Sequence, residues 1–361
     1  MPAPTDPGSL NITLLEQLRR AGGQFVSIVD LGLDSARVGN DLAALEQFGF
    51  PIERHPYLGA AYRGPANRLC PDQIEHELNT QRIGRRIAVW NRLGSTNDMA
   101  TRAAANIAND GLVILAEEQT AGRGQRGRLW MAPARSSILL SALLFPPAEL
   151  TPLGLEAAAG LAWLTALAAV ATAELVTAWS GRDARIKWPN DIRVEHRKLA
   201  GILVERGLAP SSLAPSAAEH PGQQSRGVVV GIGLNVNMDA ETFPADLSPT
   251  ATSLSILAGG GPVDRSDLAR DLIRRLDAWY SQVLDHGPAV LNESWRARSE
   301  HLGNLVRITT RSETLHGRLI DLDLLRGLIL EPADAAGTIA ARKLVALGDV
   351  LAIEAGPRNQ R

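Results

Sequence analysis

The spacing of hydrophobic positions divides the chain into three predicted parts. In residues 10–66, apolar side chains at positions 12, 14, 15 and 18 have helical spacing and predict a first helix over residues 11–21. A second helix is predicted from Ser35 to Gly49, and the residues after it alternate around a glycine turn, as in a short hairpin. Helix, turn, helix and hairpin is the order of a winged helix-turn-helix, which we predict for residues 1–68.

Residues 69–302 mix strands with helices. Apolar runs predict strands in RRIAVW, GLVILAEEQ, SSILLSALLF and RGVVVGIGLNVNM, with three shorter strands in RIKWPNDIRVEHRKLAGILVERG. Helices are predicted after Ser95, over Leu153–Val176 and over Ser266–Leu284. This mixture predicts an α+β domain, in which residues 209–226, rich in Pro, Ser and Ala, form a mobile loop.

Residues 303–361 change the pattern again. Five short strands separated by turn residues are predicted in LVRITTRS, HGRLIDLD, GLILEP, TIAARKLV and DVLAIEA. Short strands at this spacing are typical of a small antiparallel barrel, and we predict an SH3-like β-barrel for this part of the chain.

Composition and charge narrow the class of protein. A chain of 361 residues with 45% hydrophobic and 21% charged residues is long enough for two or three globular domains. The net charge of −2 excludes a uniformly basic nucleic-acid-binding protein, although not a local basic patch. Cys70 is the single cysteine, which excludes an internal disulfide and suits a reducing cytoplasm, where we expect the protein to act. The uncharged residues 157–173 are mostly alanine and predict a buried helix rather than a membrane span.

The stretch QTAGRGQRGRLW, residues 119–130, contains the spacing Gly-x-Gly-x-x-Gly of a dinucleotide-binding turn. Such a turn directly follows a strand and opens a helix, whereas here four residues precede the first glycine and another predicted strand follows. The three arginines of the stretch favour a flexible anion-binding loop instead, because guanidinium groups bind phosphate and glycines let the backbone approach it. A solvated basic loop is the alternative.

Five segments in this order resemble the motifs of bacterial biotin–protein ligases (biotin–[acetyl-CoA-carboxylase] ligases), including the type that also represses the biotin operon: GSTND, EEQTAGRGQRGRLW, KWPND, RKLAGILVE and GIGLNVN. The resemblance covers nearly the whole chain. It implies that the central domain has the mixed sheet and helices of class II synthetases and biotin ligases. It also implies biotin and ATP as substrates with Mg²⁺, a biotin carboxyl carrier protein as acceptor, and a homodimer.

The resemblance further implies roles for individual residues. Biotin is expected to contact Ser95, Thr96, Asn97, Gln119, Arg123, Gly124, Gln125 and Lys198. ATP or the adenylate is expected to contact Arg126, Arg128, Trp130, Asn190 and Asn235. Lys198 and Arg123 are the candidate catalytic residues, since a fixed ammonium can bridge the biotin carboxylate and the α-phosphate and reduce their repulsion. Asp191 is the candidate Mg²⁺ ligand.

Ordinary structural roles remain open for several of these residues. Ser95 followed by Asp98 resembles a capping box and needs no ligand. Trp130 can be a core tryptophan, Asp191 a turn residue and Lys198 a surface lysine.

The chain departs from the family pattern in two places. Gln125 stands where the best-known form of the loop has arginine, which puts in question how tightly the adenylate is held. In the N-terminal part, the first helix of the helix-turn-helix is shortened to IVDLG, and residues 10–66 hold five arginines and no lysine against six acidic residues. Because DNA affinity depends on Lys and Arg, operator binding through Ser35, Arg37 and Asn40 is an open expectation. A lipoate- or octanoyl-transfer enzyme of related fold is a third alternative.

Overall fold

A computed structural model describes residues 9–31, 35–150, 159–207, 227–332 and 341–356. The predicted mobile loop, residues 209–226, lies outside these ranges, and the predicted domain boundaries stay predictions. Along the described part of the chain, the helices and strands follow the order expected from the hydrophobic pattern.

The N-terminal unit consists of α1 (Ile12–Arg20), α2 (Ser35–Phe48) and the antiparallel hairpin of β1 (Ile52–His55) and β2 (Gly59–Tyr62). The side-chain oxygen of Asn11 accepts a hydrogen bond from the backbone N–H of Leu14 (3.0 Å) and begins α1. The leucines of α1 pack with the apolar face of α2 in a hydrophobic core of their own. Residues 28–31, where the shortened helix was expected, form turns rather than a helix.

A seven-stranded mixed sheet forms the centre of the molecule, with the strand order β3-β4-β5-β9-β8-β7-β6. Its strands are β3 (Arg86–Trp90), β4 (Leu112–Ala116), β5 (Ser137–Leu144), β6 (Ala184–Lys187), β7 (Asp191–Val194), β8 (Arg197–Arg206) and β9 (Val228–Asn235). Only β3 and β4 are parallel among these strands, and the other neighbours are antiparallel. The prediction of a mixed sheet with helices is therefore confirmed.

Within the described residues, six α-helices accompany this sheet: α3 (Pro71–Glu75), α4 (Thr96–Ala103), α5 (Ala162–Ser180), α6 (Leu254–Leu257), α7 (Arg265–His286) and α8 (Asn292–Arg298). Among the described residues, the long apolar helix α5 begins at Ala162; the predicted start at Leu153 lies outside them. By length and composition α5 could cross a membrane, but 67% of its apolar window is buried inside the molecule. It packs against α7 and against the sheet, as expected for a core helix. Gly181, in the left-handed conformation (φ 65°), ends it.

The C-terminal unit is a five-stranded antiparallel sheet with the order β13-β12-β11-β10-β14. Its strands are β10 (Leu305–Thr310), β11 (Thr314–Asp323), β12 (Gly327–Pro332), β13 (Lys343–Val345) and β14 (Val350–Ala355). Buried residues of this sheet, such as Val306 and Ile353, belong to the same hydrophobic cluster as the core of the central sheet. The C-terminal sheet is thereby packed against the central unit.

Two sets of charged groups tie the N-terminal unit to the start of α7. Arg19 forms ion pairs with Asp264 (3.7 Å) and with Asp267. Burial by itself would raise the pKa of Asp267, but the hydrogen bonds from Arg19 and Gln73 and the charges of Arg19 and Arg270 together outweigh it and lower that pKa. Deeper in the junction, Arg265 donates to the backbone carbonyl of Asn67 (3.1 Å) and forms an ion pair of 2.6 Å with Glu117, in which both side chains are at most 4% exposed.

Candidate active site

A cavity of about 470 Å³ opens over one face of the central sheet. Its walls come from the start of α4, the arginine-rich loop, the β6–β7 turn, strands β8 and β9, residues 243–251 and strand β14. Every residue expected to contact biotin, ATP, the adenylate or Mg²⁺ lines this cavity: Ser95, Thr96, Asn97, Gln119, Arg123, Gly124, Gln125, Arg126, Arg128, Trp130, Asn190, Asp191, Lys198 and Asn235. Five separate sequence motifs therefore converge on one site, although their individual roles stay predictions.

A connected polar cluster lies at the start of α4. Gln119 Oε1 accepts hydrogen bonds from the backbone N–H (2.7 Å) and the hydroxyl (3.0 Å) of Thr96. Ser141, in the middle of buried strand β5, lies 2.6 Å from Asn97 Oδ1 and 2.8 Å from the Thr96 hydroxyl. Because Asn97 Oδ1 can only accept, the Ser141 hydroxyl donates to it. This cluster fixes which atoms of Gln119 and Asn97 face each neighbour.

Ser95 begins α4, but its side chain makes no capping hydrogen bond. The capping-box interpretation of Ser95 and Asp98 is therefore wrong. The Ser95 side chain is buried at the cavity, and Asp98 pairs instead with Arg123. The Ser95 hydroxyl thus remains available to a ligand.

Glu205, near the end of β8, connects this cluster to the arginine-rich loop. Its carboxylate accepts hydrogen bonds from Asn97 Nδ2 (2.7 Å) and from the guanidinium of Arg123 (3.0 and 3.2 Å). Arg123 also donates to Asp98 Oδ1 (2.5 Å). Burial would lower the pKa of Arg123, but the hydrogen bonds to Asp98 and Glu205 outweigh it and raise that pKa, so the guanidinium stays charged.

The arginine-rich loop folds back on itself as a narrow turn. The backbone N–H of Gly124 donates to Arg128 O (2.7 Å), and that of Trp130 donates to Gly122 O (3.0 Å). A Cβ atom at Gly122 would lie 2.4 Å from Trp130 O, so only glycine allows this approach. The loop joins β4 to β5 without opening an α-helix, which agrees with an anion-binding loop and excludes a dinucleotide-binding turn.

Trp130 lies flat against the strands below it. A Cβ atom at Gly233 would be 2.4 Å from its indole ring, and one at Gly201 would be 3.0 Å away. These two glycines of β9 and β8 therefore make room for the indole. Its Nε1 is buried and has no hydrogen-bond partner among the described residues. The ring is partly buried at the cavity wall rather than enclosed in the core.

Lys198 is held in place by its backbone and by one carboxylate. Its N–H donates to Thr250 O (2.6 Å) and its carbonyl accepts from the N–H of Thr252 (2.9 Å). Its ammonium lies 2.7 Å from Asp191 Oδ1 and 5.6 Å from the centroid of the Trp130 ring. Lys198 is therefore a fixed cation inside the cavity rather than a free surface lysine.

Two asparagines of the motifs bond to the backbone. Asn190 Nδ2 donates to Ile202 O (2.8 Å), and Asn235 Nδ2 donates to Thr252 O (3.1 Å). These bonds hold the β6–β7 turn and the end of β9 in position, so any contact with a nucleotide would come in addition to a structural role.

Positive charge dominates the cavity. The cations that line it in the described part of the chain are Arg123, Arg126, Arg128, Lys187, Arg193 and Lys198. The lining carboxylates in the same part are Asp191 and Glu354. The guanidinium of Arg126 donates to the backbone carbonyl of Leu351, so the loop touches strand β14 of the C-terminal unit. An excess of cations around a partly closed space suits a ligand with several phosphate or carboxylate groups.

Sequence reasoning missed several contributors. Ser141 and Glu205 position the polar cluster, and β14 closes one side of the cavity. Ser141 left a signal, since it is a polar residue within the apolar run SSILLSALLF. Glu205 closes the motif RKLAGILVE. Nothing in the sequence indicates that β14 reaches the loop.

The residues expected to contact DNA lie elsewhere. Arg37 and Asn40 are exposed on α2, on the side away from buried Val38 and Leu42. The side chain of Ser35 lies outside the described residues. Arg37 and Asn40 thus lie on one accessible face of α2, and DNA binding at this face stays a prediction.

Comparison with known proteins agrees with these features. Residues 89–212 match the model of the biotin/lipoate A/B protein ligase family. The chain is 30% identical over 329 residues to a bifunctional ligase/repressor of Bacillus spizizenii, covering 90% of this chain and 94% of that protein. It is 36% identical over 248 residues to a biotin–[acetyl-CoA-carboxylase] ligase of Mycobacterium tuberculosis, covering 67% of this chain and 83% of the relative.

A solved structure shows the same fold. A biotin protein ligase from Aquifex aeolicus in complex with biotin and ATP superposes with a TM-score of 0.59 at 19% identity, covering 75% of this chain and 100% of that one. The full-length match to the Bacillus relative and the convergence of the motifs on one cavity lead to the same conclusion. The chain belongs to the biotin–protein ligase family of enzymes.

Proposed function

We propose that this enzyme activates biotin with ATP and then transfers it to a lysine of a biotin carboxyl carrier protein. In the first step, the biotin carboxylate attacks the α-phosphate of ATP, which gives biotinyl-5′-adenylate and pyrophosphate. In the second, the lysine amine replaces AMP. The observation that carries the proposal is the cavity itself, where a fixed Lys198 lies among cations and beside a satisfied polar cluster.

The polar cluster supplies the binding site for the ureido head of biotin. Since Gln119 Oε1 is engaged by Thr96, its Nε2 remains as a donor, and the Ser95 hydroxyl is also unused as a cap. Donors held by neighbouring groups lose little freedom on binding and so favour affinity. Thr96 and Asn97 act here chiefly by orienting the cluster.

Lys198 and the loop arginines perform the charge-balancing part of the first step. Both reacting groups are anions, and the transition state concentrates charge on phosphate oxygens. An ammonium held within the cavity stabilises that charge without reorganising. Arg123 closes over the biotin end, while Arg126 and Arg128 contact the leaving pyrophosphate. Trp130 offers an indole face to the adenine.

Mg²⁺ does not fit this site as a resident ion. The carboxylate of Asp191 is already paired with the Lys198 ammonium at 2.7 Å. The described residues contain no group of three or more His, Cys, Asp or Glu side chains that could hold a metal. We therefore derive no step through a protein-bound Mg²⁺ and expect the ion to arrive on the phosphates of ATP.

Exchange of labelled pyrophosphate into ATP tests the proposal. The purified protein should catalyse this exchange only when biotin is present. Exchange that is absent with biotin would contradict the proposal, and exchange that is equal with lipoate would support the lipoate-transfer alternative. A biotin carboxyl carrier protein should then become labelled at its lysine, as the name of the mycobacterial relative suggests.

A second function, repression of transcription in response to biotin, is favoured by one observation. The N-terminal unit presents the exposed face of α2 beside the β1–β2 hairpin, in the order of a winged helix-turn-helix. The Bacillus relative is named a bifunctional ligase/repressor. The scarcity of cations in residues 10–66 opposes strong binding to phosphates.

A gel shift on the promoter of the protein's own operon tests this second function. A specific, biotin-dependent complex that weakens in the Arg37→Ala variant would support it, and equal affinity for unrelated DNA would contradict it. Sedimentation of the same samples tests the expected homodimer.

A further inference from the structure

The mouth of the cavity carries exposed apolar side chains. Leu129 and Met131, at the end of the arginine-rich loop, are 73% and 63% exposed. Leu247, in the segment before α6, and Leu351, on β14, are 45% and 42% exposed. All four line the cavity, although they come from three separate parts of the chain. These four side chains form the rim of the cavity.

The backbone directs two of the rim residues away from the interior. Leu129 and Met131 flank Trp130 in an extended segment, in which Leu129 pairs with Arg123 in an antiparallel bridge. Successive side chains of an extended chain point to opposite sides. Since the indole of Trp130 turns inward onto the sheet, Leu129 and Met131 turn outward. Apolar side chains gathered at one opening mark an interaction site, whereas single exposed ones do not.

The second step of the proposed reaction indicates what binds to the rim, and the inference therefore rests on the proposed function. The stem of a lysine side chain spans only about 6 Å. A lysine of a folded acceptor domain that attacks a carbonyl group beside Lys198 brings the residues on either side of it to the mouth of the cavity. The acceptor domain is thus the substrate whose surface has to meet the rim.

The charges around the rim indicate the chemistry of the acceptor surface. Arg126 and Arg128 precede Leu129 and are exposed, and the exposed Arg135 follows Met131. A basic segment around the acceptor lysine would be repelled by these guanidinium groups, whereas carboxylates complement them. The rim therefore fits an acceptor surface with apolar side chains beside its lysine and acidic residues around them.

We propose that Leu129, Met131, Leu247 and Leu351 form the docking surface for the acceptor domain. They bury the apolar side chains next to the acceptor lysine and hold its amine over the adenylate. The docking surface binds the second substrate and takes no part in forming the adenylate. Its loss therefore affects the two steps of the reaction differently.

The double variant Leu129→Gln/Met131→Gln tests the docking surface, because glutamine has a similar size and is not apolar. Biotin-dependent pyrophosphate exchange measures the first step, and labelling of a biotin carboxyl carrier domain measures the second. We expect the KM for the carrier domain to rise by about 10- to 100-fold, as when two apolar contacts are lost from an interface. The kcat at saturating carrier domain and the rate of exchange should stay at the values of the unmodified enzyme.

Two readouts separate docking from an effect on the cavity itself. With hydroxylamine as acceptor, which is too small to touch the rim while it attacks the adenylate, the double variant should react as fast as the unmodified enzyme. In the unmodified enzyme, the KM for the carrier domain should rise with salt concentration, because salt screens the arginines at the mouth. Ile107→Gln is the matched control, since Ile107 is 71% exposed and lies outside the cavity wall.

An unchanged KM for the carrier domain in Leu129→Gln/Met131→Gln would overturn the proposal. An equal loss of exchange and of transfer to hydroxylamine would also overturn it, because the two side chains would then cover the adenylate rather than bind the acceptor. A KM that is independent of salt would refute the acidic character given to the acceptor surface. Absence of exchange in the unmodified enzyme would instead refute the proposed function.

Discussion

Gly231→Ala should disable biotin binding without unfolding the protein. A Cβ atom at this position of β9 would lie 2.1 Å from Asn97 Oδ1 and 2.9 Å from both Cγ and Nδ2 of that side chain. Ordinary contact begins near 3.4 Å, so the amide has to retreat by roughly 1.3 Å. It cannot do so and keep its partners, because Ser141 holds Oδ1 at 2.6 Å and Glu205 holds Nδ2 at 2.7 Å.

The cost follows from the two bonds that would be lost. A neutral hydrogen bond contributes about 0.5–1.5 kcal/mol and one to a charged group about 1.5–3 kcal/mol. Losing both gives about 2–4.5 kcal/mol. Biotin binding requires the cluster in its original arrangement, so this cost corresponds to a rise of roughly 30- to 2,000-fold in the biotin concentration needed for half-maximal exchange. Isothermal titration with biotin and the exchange assay both measure this change, and the melting temperature monitors the fold.

A double-variant cycle tests the reasoning directly. Asn97→Ala removes the side chain that the new methyl group meets, so Gly231→Ala should cost little more in that background. Strict additivity of the two effects would refute the proposed clash, as would unchanged biotin affinity in the single Gly231→Ala variant.

Three further predictions concern other parts of the molecule. Arg265→Met should lower the free energy of unfolding by about 3–5 kcal/mol, because it leaves the buried Glu117 carboxylate without its partner. Chemical denaturation measures this free energy, and the double variant with Glu117→Gln should recover most of the lost stability. Burial lowers the pKa of His301 to about 4, below its ordinary value of about 6.5. As pH falls, His301 therefore binds a proton in the unfolded chain at a higher pH than in the folded chain. The free energy of unfolding should decrease below about pH 6.5, by about 2 kcal/mol at pH 5. A His301→Asn variant that keeps this pH dependence would contradict the role given to His301. Gln125→Arg adds a cation to the cavity and should slow release of the adenylate, measured by chasing labelled adenylate with unlabelled biotin and ATP. An unchanged release rate would contradict a contact between this side chain and the phosphate.

Much of the fold could be predicted from hydrophobic spacing alone. The strands of the central and C-terminal sheets and the helices α1, α2 and α7 occur where the pattern placed them, because each buries one continuous apolar face. An alanine-rich stretch such as α5 has almost no contrast between its faces, so hydrophobic spacing does not indicate which face packs against the sheet. Sequence order also leaves strand pairing undetermined, because register depends on contacts between distant residues.

For the candidate site, too, part could be predicted from the sequence and part could not. The motifs identified its residues, but not the bonds among them. Arg123 pairs with Asp98 and Glu205, which are 25 and 82 positions away along the chain, and the capping-box interpretation of Asp98 was wrong for that reason. A local rule assigns a side chain to its neighbours in sequence, whereas a long charged side chain takes the partners that the fold brings near.

The central claim is that a fixed ammonium in this cavity makes adenylation of biotin possible. Lys198→Ala should reduce biotin-dependent pyrophosphate exchange by about 100- to 1,000-fold, as expected when one preorganised charge is removed from a transition state. Lys343→Ala, which removes an exposed lysine paired with Glu313 on the C-terminal sheet, should retain full exchange and serves as the matched control. Near-normal exchange by a folded Lys198→Ala variant would contradict the account.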